Sequence, residues 1–188
     1  MFNIGDKIVY PMHGAGVIES IEEKKLGEET QAYYILKMPG EVKVMVPVEK
    51  AEQIGVRDII DKETAYNVIK VFEQSDVEED SNWNRRYREN IEKMKTGDIY
   101  EVANIVRNLS FKQKEKGLST GDKKMLLNAK QILISELVLA EQSDKEKIEE
   151  IIDNKINLSY IKNSANKVED IEPKGVVNKF ISFDTSNM

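Results

Sequence analysis

The chain reads as an α+β protein: a small closed β-barrel over residues 1–60, followed by an all-α helical bundle. Three observations predict this. Short runs rich in β-branched and aromatic residues, separated by turn chemistry, stop near Val56. Beyond that point apolar residues recur at helical spacings of three and four. Between the two textures lies a short acidic stretch without apolar periodicity, residues 74–82 (QSDVEEDSN), which reads as a linker.

The strand candidates are Ile8-Val9-Tyr10, Gly16-Val17-Ile18, Tyr33-Tyr34-Ile35-Leu36 and Val42-Lys43-Val44-Met45-Val46. Pro11, Gly14, Lys25-Leu26-Gly27-Glu28 and Pro39-Gly40 separate them. Runs this short favour closure, because a closed barrel leaves no unpaired edge. In the last run Lys43 and Met45 share one face by alternation. At a barrel edge, that strand would offer its backbone to a partner's strand.

Residues 61–73 place Ala65, Val68, Ile69 and Phe72 on one helical face; with the acidic stretch they make a connecting segment over 61–82. The helical domain then spans 83–155. Trp83, Tyr87, Ile91 and Met94 form its first stripe, broken by Thr96-Gly97. Asp98 puts a negative charge in the next first turn, ahead of Ile99, Val102, Val106 and Leu109, and Gly117 ends that helix. Ser119 and Asp122 resemble a capping box with Asp in place of Glu, opening a helix through Met125, Ala129, Ile132, Leu133 and Leu137. Ser143 and Glu146 form a full capping box for a short fourth helix through Ile148, Ile151 and Ile152. From Asn157 the pattern dissolves, so residues 156–188 read as a flexible tail; an apolar cluster over 176–183 leaves open a strand that docks elsewhere.

Composition narrows the function. With 188 residues, no cysteine and a single histidine, His13, the chain has no route to disulfides, zinc fingers or thiol catalysis. No apolar run approaches the roughly 18 residues that span a bilayer, and the amino terminus lacks the basic and apolar regions of a secretory signal. A cytoplasmic protein with no membrane partner, no metal and no cofactor is expected. His13 sits with Gly14 and Gly16 in a turn followed by no helix, so a phosphate loop is rejected in favour of a tight turn with a local hydrogen bond. The carboxylates show no spacing that marks an acid–base pair, so the chain is not expected to be an enzyme.

The net charge of −6 is unevenly spread. Residues 1–82 carry 9 Lys and Arg against 17 Asp and Glu, residues 83–130 carry 12 against 6, and residues 131–188 carry 7 against 11. An acidic protein with one basic block is not a general DNA coater, but can set a local basic surface on nucleic acid once something else delivers it there. The competing account is a solvated helical face.

Within that block stands Trp83-Asn84-Arg85-Arg86-Tyr87-Arg88, holding the one tryptophan in the chain. A first-turn aromatic beside three arginines suits insertion at a nucleic-acid step with arginine on phosphate. Tyr87 and Ile91 continue its stripe, so a buried Trp83 is the alternative. A second cluster joins Lys112, Lys114 and Lys116, before Gly117, to Lys123 and Lys124 just after the next cap. Lys116 suits its helix C-terminus, whereas Lys123 and Lys124 lie early in a helix, where positive charge is disfavoured and a phosphate-facing task is the better account.

These residues, in this order, resemble the CarD/CdnL family of bacterial transcription regulators. Residues 2–14 (FNIGDKIVYPMHG) with Val44-Met45-Val46-Pro47 look like that family's RNA polymerase-interacting domain, a Tudor-like (SH3-like) barrel also found in the transcription-repair coupling factor. Residues 83–90 (WNRRYREN), Gly97-Asp98, Lys116-Gly117-Leu118-Ser119 and Lys123-Lys124-Met125-Leu126 match the family's carboxy-terminal helical domain. The similarity covers about residues 1–155.

The resemblance implies a non-enzymatic regulator, monomeric when free, whose barrel docks on the β-subunit lobe of RNA polymerase. It would thereby be nucleoid-associated. Its helical domain reaches promoter DNA near the −10 element, where the family tryptophan, here Trp83, wedges into the upstream edge of the bubble and stabilises the open complex. Arg85, Arg88 and Lys123, with Arg86 and Lys124 adjacent, map to the DNA-facing positions. Polymerase contact maps to Lys24, Lys25, Lys43, Val44, Met45 and Val46. Where well-known members carry arginines, this chain has Lys24 and Met45. Lysine keeps the charge without the bidentate fork, and Met45 has none, so docking leans on backbone pairing, Met45 packing or Lys43. The alternative is a polymerase-binding adaptor whose helical bundle recruits another protein without touching DNA.

Overall fold

A computed structural model describes residues 1–27, 29–74 and 82–169. The α+β expectation holds. Five antiparallel strands, β1 (Lys7–Tyr10), β2 (Gly14–Leu26), β3 (Glu29–Lys37), β4 (Lys43–Pro47) and β5 (Arg57–Asp58), run in the order β4-β3-β2-β1-β5. Among the described residues no ladder joins β4 to β5, so the expected closure of the barrel is absent from the backbone pairing. Ile8, Ile18, Tyr34, Leu36 and Val46 form the sheet's core. Each such aliphatic side chain contributes about 1.5–3 kcal/mol by leaving water.

Between β4 and β5 the chain makes a 3-10 turn (Val48–Lys50) and the single-turn helix α1 (Ala51–Ile54), ended by Gly55 at φ +85°. Five further helices follow: α2 (Lys62–Lys70), α3 (Trp83–Lys95), α4 (Ile99–Lys116), α5 (Thr120–Glu141) and α6 (Lys145–Glu169). Side-chain caps explain four of the starts. The oxygens of Asp61, Asn82, Asp98 and Ser119 accept from the backbone N–H of Thr64, Arg85, Tyr100 and Asp122 respectively. Asp98, expected within the first turn, is the cap itself.

Two expectations change. Residues 61–74, read as part of a connecting segment, are packed into the helical core: Ala65, Val68, Val71 and Phe72 join the apolar residues of α4, α5 and α6. Arg107 of α4 holds them there by donating to the Val71 carbonyl at 3.2 Å and to Gln74 Oε1 at 2.7 Å.

The fourth helix is also far longer than expected. It runs to Glu169, so residues 156–169 are helix rather than tail. Ile156 and Ser159 are buried, Ser159 Oγ donates to the Phe72 carbonyl at 2.6 Å, and Tyr160 meets Phe111 edge-on at 5.8 Å. The apolar cluster over 176–183 and most of the acidic linker lie outside the described residues.

Candidate nucleic-acid interface

Asn82 caps α3, so Trp83 occupies its first helical position. Tyr87 stacks on the indole one turn on, with ring centroids 5.3 Å apart and planes at 28°. On the other side stands the first turn of α5. A Cβ on Gly121 would lie 3.1 Å from Trp83 Cζ2, so a glycine there lets the backbone approach the indole closely. The indole N–H donates to Asp122 Oδ1 at 3.2 Å. Trp83 thus ends 41% exposed, anchored on one edge and open on another.

Asp122 is the hub. It is 1% exposed, and its Oδ2 accepts from Arg86 Nη2 at 3.2 Å and Lys112 Nζ at 2.9 Å. Burial alone would push its carboxyl pKa up. The hydrogen bond and charge of Lys112, the charge of Arg86 and the Trp83 N–H outweigh that and hold it below the ordinary value. One buried acid thus gathers two cations and the indole N–H.

A depressed folded-state pKa gives stability that is complete above the unfolded value, about 3.9, and lost as pH falls through the folded one. Indole emission should therefore shift to the red on acidification below about pH 4. An Asp122→Asn variant with the same acid transition as wild type would show that this carboxylate is not its source.

The other basic candidates divide. Arg85 and Arg88 are exposed and, three residues apart, share one helical face; Arg85 Nε donates to Glu89 at 3.0 Å. Lys123 and Lys124 are exposed in the turn that carries Asp122. Arg86 is turned inward to Asp122. In the expected lysine cluster Lys112 turns inward to serve Asp122, while Lys114 stays exposed and donates to Asn157 of α6 at 2.5 Å. Behind Lys124 an open groove of about 430 Å³ runs between α3 and α5, lined by Tyr87, Ile91, Met94, Met125 and Leu127.

On the sheet, β4 is an edge strand. Met45 is 42% exposed and Lys43 lies on the same outward face, bonded to Glu19; that bond holds Glu19 below and Lys43 above their ordinary pKa values. Val44 is half-buried, and Val46 is 0% exposed, so the Val46 side chain belongs to the core and offers no surface to a partner. Lys24 and Lys25 stand near the tip of the β2–β3 hairpin, where Lys24 meets Glu22 at 3.6 Å. The His13 ring packs on Tyr10, and its backbone N–H donates to the Tyr10 carbonyl at 3.0 Å.

The sequence reading missed the hub role of Asp122 and the close approach at Gly121. One signal was present: an Asp at the place of the capping-box Glu is free for other work. Among the described residues no cluster of His, Asp or Glu could hold a metal, and no helix is long and apolar enough to cross a membrane.

An edge-stranded sheet is thus joined to a helical module that carries a held aromatic and the exposed side chains of Arg85, Arg88, Lys123 and Lys124. Residues 2–60 match the CarD-like/TRCF RID domain and residues 67–153 match the CarD C-terminal domain. The chain is 45% identical over 138 residues to the Bacillus subtilis (strain 168) protein called "Putative transcription factor YdeB", covering 73% of this chain and 90% of that one. The chain belongs to the CarD-like family of transcription factors.

Proposed function

We propose that this protein docks β4 on the β-subunit lobe of RNA polymerase and stabilises the promoter open complex with Trp83 at the upstream edge of the bubble near the −10 element. The observation that carries the reading is the mounting of Trp83, stacked on Tyr87 and tied to Asp122 while 41% exposed. A pre-set aromatic enters an unstacked step without first losing rotamer freedom. Arg85, Arg88, Lys123 and Lys124 take phosphates around it, while Arg86 acts through Asp122. The protein works in the cytoplasm as a monomer, and the polymerase rather than net charge delivers it to DNA.

An intact duplex cannot accept the ring, so Trp83 binds the open state better, and only differential affinity shifts an equilibrium. One stacking contact of roughly 1–3 kcal/mol shifts it about five- to 150-fold. The test is the half-life of promoter open complexes with and without the protein. Wild type should lengthen it and Trp83→Ala should lose the effect while still binding polymerase; equal lifetimes for the two proteins would refute the wedge.

The apolar groove between α3 and α5 favours a second reading, the adaptor that binds another protein there. Polymerase binding with no change in half-life would select it.

A further inference from the structure

The sheet and the helices meet at a part-buried polar joint built from β1, β2, β5 with the residues just after it, the Gly97 turn and the middle of α5; none of its hydrogen-bonding residues belongs to β4. Its centre is Arg57. The guanidinium pairs both oxygens of Glu136, Nη1 to Oε1 at 2.6 Å and Nη2 to Oε2 at 3.0 Å. Its Nε and Nη2 also donate to the Gly97 carbonyl at 3.2 and 2.6 Å, and Nη1 donates to the Asp58 carbonyl at 2.9 Å. Every N–H of the fork is thereby used. Glu136, 1% exposed, takes a further bond from the Ile60 N–H at 3.0 Å.

Gly97 lies in the turn that ends α3, so Arg57 grips the far end of the helix that begins with Trp83. Beside this fork, the Ala15 N–H donates to Ser135 Oγ at 2.8 Å and Lys7 Nζ to the Leu139 carbonyl at 3.2 Å. An apolar joint can slide; directional bonds made to a fork and a carboxylate cannot do so without leaving buried charge unpaired.

We infer that Arg57 and Glu136 are positioning residues that lock the sheet and the Trp83 helix into one body, so that β4 and Trp83 are presented at a single fixed separation. The consequence for the promoter rests on the function proposed above.

The test uses the full chain with spin labels at Glu49→Cys and Glu92→Cys, two exposed positions in a protein with no native cysteine. Pulsed electron resonance then reads their separation. In the Arg57→Met/Glu136→Met double variant both charges leave together, which spares the fold the cost of an orphaned one.

The wild-type background should give one narrow distance. The double variant should broaden it, keep polymerase affinity and indole emission, and cut the lengthening of open-complex half-life about fivefold or more. An unbroadened distribution overturns the joint. A broadened one with the full effect on half-life overturns the positioning role. Should the double variant not fold, Arg57→Lys, which keeps the charge and gives up the fork, is judged on the same two readouts. If wild type itself leaves the half-life unchanged, the functional reading fails, and the distances alone still decide the joint.

Discussion

Asp122→Ala is expected to destabilise the protein by about 3–5 kcal/mol, the cost of breaking a buried ion-pair hub and leaving two part-buried cations without this counter-charge. Arg86 and Lys112 both donate to one oxygen of that carboxylate, and the indole donates to the other. Asp122 also sits in the first turn of α5, where negative charge suits the helix dipole. The loss corresponds to a fall in melting temperature of roughly 6–20 °C for a chain of this size. Indole emission should move to the red, because the ring loses the partner that fixes its edge. Asp122→Asn keeps an acceptor for the indole but not the charge, so it should fall between. Wild-type melting in Asp122→Ala would show that the lysine and arginine reach solvent without penalty.

Gly14→Ala is expected to lose roughly 2–4 kcal/mol, from backbone strain and overpacking together. Gly14 has φ +106°, a region that side chains rarely adopt. A Cβ there would lie 2.5 Å from Ser135 Oγ and 3.4 Å from the Ile132 backbone, while the flexible end of Met38 at 3.1 Å can move aside. Adding Ser135→Ala should recover part of the loss even though it orphans the Ala15 N–H. Urea denaturation of the two single variants and the double variant reads this as a coupling between them. Strict additivity would mean that the backbone strain, and not the crowding against α5, is the whole effect.

The sequence carried the strands whose faces are buried and hid those whose faces are wet. Tyr33 to Leu36 were plain because all four are buried. The outer half of β2 carries Glu22, Glu23, Lys24 and Lys25, and is held by backbone pairing with β3, which leaves no apolar alternation to read. β5, at two residues, is too short to have a pattern. In α6 the residues Asn157, Asn163 and Ser164 masked the helix, although Ile148, Ile152, Ile156 and Tyr160 continue its buried stripe.

At the site, Trp83 and its arginines stood out by composition. Their mounting did not, because Asp122 is 39 residues from Trp83 and 10 from Lys112, and pairings across helices leave no mark on local spacing.

The bond from Ser159 to the Phe72 carbonyl spans 87 residues and ties the last described helix to the first part of the helical core. It sets an order of events during synthesis. All five strands of the sheet are available once Asp58 has left the ribosome, since β5 pairs back to β1. The cover that α6 gives Phe72 must wait until that helix has been made. The sheet is therefore complete early, and the helical core closes around Phe72 only after α6 has been made.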